Sequence, residues 1–181
     1  MIIKNKNSNY WLFLKKTYEE RAYKGTDDYQ YELGKTYSYD SYVQNSKNIE
    51  IDDFVIFRED DYILGYGYID RIDASPGFKK MKRCPMCNSS SLSERKILKP
   101  RWRCNNPRNK ECKLEFNDPS ITNDSVSIFK CFIRDYTEFQ ETVSVGDVKS
   151  CSATKYGKSV QCALMRLDFN KLSSLLMDIN L

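Results

Sequence analysis

Four cysteines place the strongest constraint on how this 181-residue chain can fold. Cys84 and Cys87 bracket a Cys-Pro-Met-Cys turn, Cys104 follows after sixteen residues, and Cys112 after seven more. A Cys-x-x-Cys turn presents two thiolates to one side of a metal, and a second, distant pair closes the other side. Four thiolates around a tetrahedral Zn²⁺ are the ligand set of a zinc ribbon. Residues 79–116 are therefore expected to form an inserted zinc ribbon, with Cys84, Cys87, Cys104 and Cys112 holding a structural Zn²⁺. Four thiolates leave no open coordination position, so the metal is expected to be structural rather than catalytic.

Charge is concentrated in the same stretch. Between Lys79 and Lys113 there are 12 Lys and Arg against 2 Asp and Glu, out of 29 and 25 in the whole chain. The pattern is a basic module on a mildly acidic body. Such a field favours polyanions, because neutralising phosphates releases condensed counterions. Candidate contacts to a nucleic-acid backbone are Lys79, Lys80, Lys82, Arg83, Arg95, Lys96, Arg101, Arg103 and Arg108. Trp102, interleaved between Arg101 and Arg103, suits stacking or wedging among them. A solvated charge run is the competing reading of these residues.

The chain contains no histidine. That removes the common general base, the Ser-His and Cys-His nucleophile pairs, and a histidine-based nuclease centre. A carboxylate and lysine nuclease using Mg²⁺ remains formally open. Glu94-Arg95-Lys96 and Glu111-Cys112-Lys113 match a minimal Glu-x-Lys pattern, yet both fall inside the ribbon without a preceding strand or acidic partner. Gly65-Tyr66-Gly67 lacks the third glycine of a phosphate-binding loop. No catalytic residue is expected in this chain. Seven cysteines, four of them in metal spacing, fit a reducing compartment, and no stretch has the length of a membrane span or signal peptide. The expected location is cytoplasmic. Cys131 and Cys162 lie in apolar runs and are expected in the core, whereas Cys151 lies in a polar connection.

Outside the ribbon the pattern is that of a sheet protein with a terminal helix. Residues 10–14 (YWLFL) read as a buried strand, and IDDFVIFRE and YILGYGYIDRID as a hairpin. Gly65 and Gly67 suggest a bulge or the close approach of another backbone. Ser75-Pro76-Gly77 and Asn117-Asp118-Pro119 mark the exit to the ribbon and the return. SIFKCFIRDY has the apolar content of a central strand, ETVSV of a short one, and SVQCALMRL of a further one. In the last segment Asp168 is a plausible N-cap ahead of Leu172, Leu175, Leu176 and Ile179 at helical spacing. Residues 17–48 carry seven tyrosines and few aliphatic residues, which suggests a folded functional loop with a short helix rather than a core element.

Taken in order, YWLFL, NIEIDDFVIFRE, YILGYGYIDRI, IRDYTEFQETVSV and SVQCALMRLDFNKLSSLL resemble the PUA superfamily, and within it the EVE and YTH-like branch. Where that family often has Gly-Asp before a hydrophobic strand, this chain has Asp52-Asp53, and no proline follows the aromatic of IRDYTEF. The resemblance implies an α+β fold: a PUA-like (EVE-like) β-barrel with peripheral helices, formed by residues 1–78 and 117–181 around the inserted ribbon. A barrel of this kind with a four-cysteine insertion resembles the reader domains of modification-dependent restriction endonucleases. It implies a partner, double-stranded DNA bearing a modified base, commonly a modified cytosine flipped into an aromatic pocket, with nuclease activity in another domain or subunit. RNA is the alternative partner, as for PUA-like modules in RNA modification or translation.

The tyrosine-rich segment gains a purpose in that light. Base flipping costs a few kcal/mol, and stacking on aromatic faces returns about 1–3 kcal/mol per base. In TYSYDSYVQN, Tyr37 and Tyr39 share a face of an extended chain, opposite Asp40 and Tyr42. Asp40 could accept from a cytosine amine, and Asn45 could read a base edge or hold the loop. The candidate pocket is thus Tyr23, Tyr29, Tyr37, Tyr39, Asp40, Tyr42 and Asn45. Alternating tyrosines also suit a strand whose rings simply pack across their neighbours. Trp11, in the opening apolar run, reads as core.

Overall fold

The computed structural model describes residues 8–15, 31–59, 61–139, 144–154 and 163–178. Tyr23, Tyr29, Cys162 and Ile179 lie outside the described residues. The architecture is mixed α+β with a predominance of sheet. The chain divides into two compact units, one with residues 28–76 and 127–181 as its larger parts, the other built on Gly77–Val126.

The first unit is built on a seven-stranded sheet. Its strands are β1 (Tyr10–Lys15), β2 (Tyr31–Glu32), β3 (Thr36–Asp40), β4 (Phe54–Glu59), β5 (Tyr62–Arg83), β9 (Ser120–Glu138) and β10 (Leu164–Leu167), in the order β10-β1-β4-β5-β9-β3-β2. The two apolar runs lie side by side: β1 pairs parallel with β4, Tyr10 opposite Phe54 through Lys15 opposite Glu59, and β10 pairs antiparallel with the other edge of β1. Both are buried on both faces, which is why they read as continuous apolar runs.

Alternation divides these side chains between two cores. Tyr10, Leu12, Phe54, Ile56, Met165 and Leu167 face α1 (Val145–Ser150) and α2 (Phe169–Asp178), whose Val145, Val148, Leu172 and Leu176 cover them. The Asp168 carboxylate accepts from Lys171 N at 3.1 Å, the N-cap bond expected of it. Trp11, Phe13, Val55, Phe57 and Leu164 point to the opposite face. There they meet Tyr37 and Tyr39 from β3, with Ile49, Ile69 and Cys131.

That second core requires a curled sheet. Strands β1 and β3 stand four positions apart, about 19 Å in a flat sheet at the usual strand spacing of ~4.8 Å. Yet the Phe13 and Tyr37 ring centroids are 4.7 Å apart, and the Tyr37 hydroxyl donates to Leu14 O at 2.9 Å. One contributor is a bulge in β5, where Phe57 faces Gly65 but Arg58 faces Ile63. Close strand approach is another: a Cβ on Gly65 would lie 2.5 Å from Thr137 O and from the Tyr136 hydroxyl. The expected barrel is not closed among the described residues. The curled sheet keeps two ends, β10 and β2, which do not pair with each other.

Three local expectations differ. Ser75-Pro76-Gly77 makes no turn but lies within the 22-residue β5, where the stretch from Asp73 to Pro76 is exposed and an exposed strand tolerates a missing donor. Val145, assigned to a short strand, opens α1, with the Ser144 hydroxyl capping Gly146 N at 3.0 Å. Cys151, assigned to a polar connection, ends that helix and is buried in the first core. The second unit carries a separate sheet, β6 (Leu92–Glu94), β7 (Trp102–Cys104) and β8 (Glu115–Phe116), with β7 central.

Candidate metal centre

The first cysteine pair is set by a tight turn. Asn88 N donates to Cys84 O and Cys84 N to Ser89 O, both at 2.9 Å, and Asn88 takes a left-handed φ of 56°, which asparagine tolerates. On β7, alternation sends Trp102 and Cys104 inward and Arg103 outward. Cys112 is held by Asn109, whose side-chain oxygen accepts from Glu111 N and Cys112 N, each at 3.2 Å. Leu92, Leu114 and Phe116 pack around the sulfurs.

All four Sγ atoms lie within 4.8 Å of one another. Cys84 and Cys112 are 3.8 Å apart, and Cys87 and Cys104 3.6 Å. A disulfide would need about 2.05 Å. A tetrahedral ion bound by sulfur at about 2.3 Å sets its ligands roughly 3.8 Å apart, so these residues fit a metal ion. The Asn106 amide donates to Cys87 Sγ at 3.5 Å and is the main cause drawing that thiol down to about 6, with the Ser89 backbone and neighbouring thiols assisting. Burial pushes the Cys104 thiol up, and the bond to Cys87 followed by burial raises Cys112. Thiolates this close repel one another, and a bound cation would remove that repulsion.

The structure sorts the ribbon's basic residues into two kinds. Arg83 is bound by Asp124, by Thr122 Oγ1 at 2.8 Å and by Asn88 O at 3.0 Å. Arg95 makes a fork with both oxygens of Glu115, at 3.0 Å each, and Arg101 Nε donates to Glu94 at 2.7 Å. Lys82 lies over the Trp102 ring, 4.6 Å from its centroid, and Trp102 is buried. Lys79 is half-buried. By contrast Lys80, Lys96, Arg103 and Arg108 are exposed and form no ion pair among the described residues, as do Lys99, Lys110 and Lys113.

The tyrosine segment is brought together, but into the core. Tyr37 and Tyr39 are buried; Tyr39 stacks on Phe129 at 5.3 Å, and the Cys131 thiol faces its hydroxyl at 3.8 Å. Asp40 is buried and accepts from Tyr42 N at 2.7 Å. Asn45, at φ 67°, donates to Leu164 O at 2.9 Å and so ties the loop to β10. Tyr42 is the exposed aromatic of the set among the described residues.

Two features escaped sequence reasoning. Asp53 is a buried hub at the turn into β4, bonded to Asn9, Trp11 and Glu50. Ile97 and Leu98, at the tip of the β6–β7 hairpin, are 94% and 63% exposed. The signal for the second was a pair of aliphatics inside a basic run. Compared with protein-family models and with curated proteins, the chain matches none.

Proposed function

We propose that this chain is a noncatalytic DNA-binding reader, a PUA-like module with a zinc ribbon that serves as the specificity part of a modification-dependent restriction system. The observation that carries the reading is the sorting of ribbon charge. Internal partners hold Arg83, Arg95 and Arg101 in place, while Lys80, Lys96, Arg103 and Arg108 stand exposed without ion pairs among the described residues. Lysines and arginines of the second kind meet phosphates without first breaking a protein contact.

Zinc is the metal that suits the sulfur set. Four soft thiolates select it over the hard cations, and a closed site supplies folding energy to a module with few apolar residues of its own. Cys84, Cys87, Cys104 and Cys112 would hold it. The PUA-like reading is supported by the curled sheet and by the turn before β4. Asp52 there has φ 68°, a conformation that favours the glycine found in that family's Gly-Asp turn.

For base reading, Tyr37 and Tyr39 position the loop rather than stack on a base, because their rings are packed in the core. Asp40 and Asn45 hold the loop backbone, and Tyr42 supplies the exposed ring. A stacked base returns about 1–3 kcal/mol, comparable with the few kcal/mol that extrusion costs. The test is an equilibrium comparison at fixed salt of one duplex in unmodified, 5-methylcytosine and 5-hydroxymethylcytosine forms beside a matched RNA. Roughly tenfold tighter binding to a modified duplex, about 1.4 kcal/mol, is expected. Tighter binding to RNA than to every duplex would replace the reading with an RNA-binding one.

A further inference from the structure

We infer that the tip of the β6–β7 hairpin is a wedge that enters the minor groove of duplex DNA and unstacks one base step, with Ile97 and Leu98 as the inserted side chains. The inference rests on the DNA-binding reading and adds a site to it. Single exposed aliphatic residues are ordinary on protein surfaces. Here two adjacent ones project from a turn, with Lys96 and Lys99 exposed on either side.

The base of the tip is stiff. Arg95 N donates to Arg101 O at 2.7 Å, and the Arg95 guanidinium forks Glu115 and also binds Pro100 O. Arg101 is held by Glu94. These arginines therefore brace the hairpin, and the positive charge presented by the tip is that of its two lysines. A rigid two-stranded projection with an apolar point and cationic shoulders has the chemistry of a side chain inserted between base steps while flanking charges meet the phosphates. Membrane insertion suits the tip less well. Interfacial anchoring scales with buried apolar area, and two side chains offer little, whereas a wedge needs only one or two. Trp102 does not fill this role, since its ring is buried beneath Lys82.

The test uses the full chain and a duplex that carries 2-aminopurine within the site and a donor–acceptor dye pair at its ends. Wild type is expected to raise 2-aminopurine emission and shorten the end-to-end distance. The double variant Ile97→Ser, Leu98→Ser, whose changes touch only exposed side chains, is expected to bind duplex DNA with the wild-type salt slope, which the lysines set, and to lose both signals. Lys96→Gln, Lys99→Gln is expected to weaken binding and lower the salt slope by nearly two, at about 0.9 per phosphate contact. Bending and emission unchanged in the serine variant would overturn the wedge while leaving the DNA reading intact. Failure of wild type to bind any duplex would overturn the DNA reading itself. Binding to phosphatidylserine vesicles tighter than to DNA, and abolished in the serine variant, would overturn the wedge in favour of a membrane contact.

Discussion

The indole N–H of Trp11 donates to Asp53 Oδ2 at 2.7 Å, and both side chains are buried. The same carboxylate accepts from Asn9 N at 2.8 Å, from Asn9 Nδ2 at 3.2 Å and from Glu50 N at 2.9 Å. One side chain thus fastens the start of β1, the 50–53 turn and the start of β4, the parallel pair on which both cores are built.

Removing either partner therefore costs more than an average core change. Trp11→Phe forfeits a hydrogen bond to a charged acceptor, worth about 1.5–3 kcal/mol. Asp53→Ala leaves the buried Trp11 indole N–H and three partly buried N–H donors unmet and should cost about 3 kcal/mol. Urea unfolding midpoints of the two variants check this; an Asp53→Ala loss below about 1 kcal/mol would contradict the hub.

Next to the hub, Asp52 has φ 68° and pairs with Arg134 at 2.6 Å, with both side chains substantially exposed. Asp52→Gly relieves a left-handed conformation and gives up a screened ion pair, so its stability should stay within about 1 kcal/mol of wild type. Asp52→Val keeps the strain and adds β-branching, and should lose about 2 kcal/mol. Thermal unfolding of the pair measures the difference, and equal stabilities would refute the conformational argument.

The chain has two tryptophans, Trp11 in the second core and Trp102 in the ribbon. They give each unit its own reporter. Cys84→Ser and Cys104→Ser should bind less than one zinc per chain, and chelation should red-shift Trp102 emission in a Trp11→Phe background. In a Trp102→Phe background the Trp11 spectrum should hold. Full zinc content in both serine variants would reject the ligand assignment.

Cys131 is fully buried, and burial pushes its thiol up to about 12 from the ordinary value near 8.5. The folded state therefore keeps a proton that the unfolded state releases. This contribution is complete below about pH 8.5 and is lost as pH rises toward 12. Burial raises the Tyr39 hydroxyl in the same direction. Stability measured from pH 8 to 11 should fall, and should fall less steeply in Cys131→Ala.

Gly65 tests the close strand approach that accompanies the curl. Its missing Cβ would collide with a backbone carbonyl, Thr137 O, which cannot swing aside as a side-chain end can. Gly65→Ala should cost about 1–3 kcal/mol, the range for overpacking a tight contact. A neutral change in calorimetry would mean that β5 and β9 separate readily.

The apolar runs 10–14 and 54–57 were legible because strands buried on both faces leave no polar alternation to confuse them. The cysteine cluster was legible because Cys-x-x-Cys and a distant second pair are the spacing that brings four sulfurs together. The tyrosines were harder. A ring that lines a pocket and a ring that packs between curled strands have the same composition, and the distinction for Tyr37 lies in a contact with Phe13 that only the curl creates. The Ser75-Pro76-Gly77 signal failed because turn propensity is local, whereas β5 gains its extension from pairing with β9. Which arginines brace the ribbon depended on carboxylates placed opposite them by register, as Glu115 lies opposite Arg103 and forks Arg95.

The measurement that bears most directly on the ribbon as the DNA-contacting element is affinity for one duplex across a salt series, with the metal-loaded and the chelated chain. Four or more phosphate contacts from Lys80, Lys96, Arg103 and Arg108 predict a slope of log K against log salt of about −3.6 or steeper with metal bound. Chelation should flatten the slope and weaken binding at every salt. A slope and affinity that persist after verified metal loss would contradict the account.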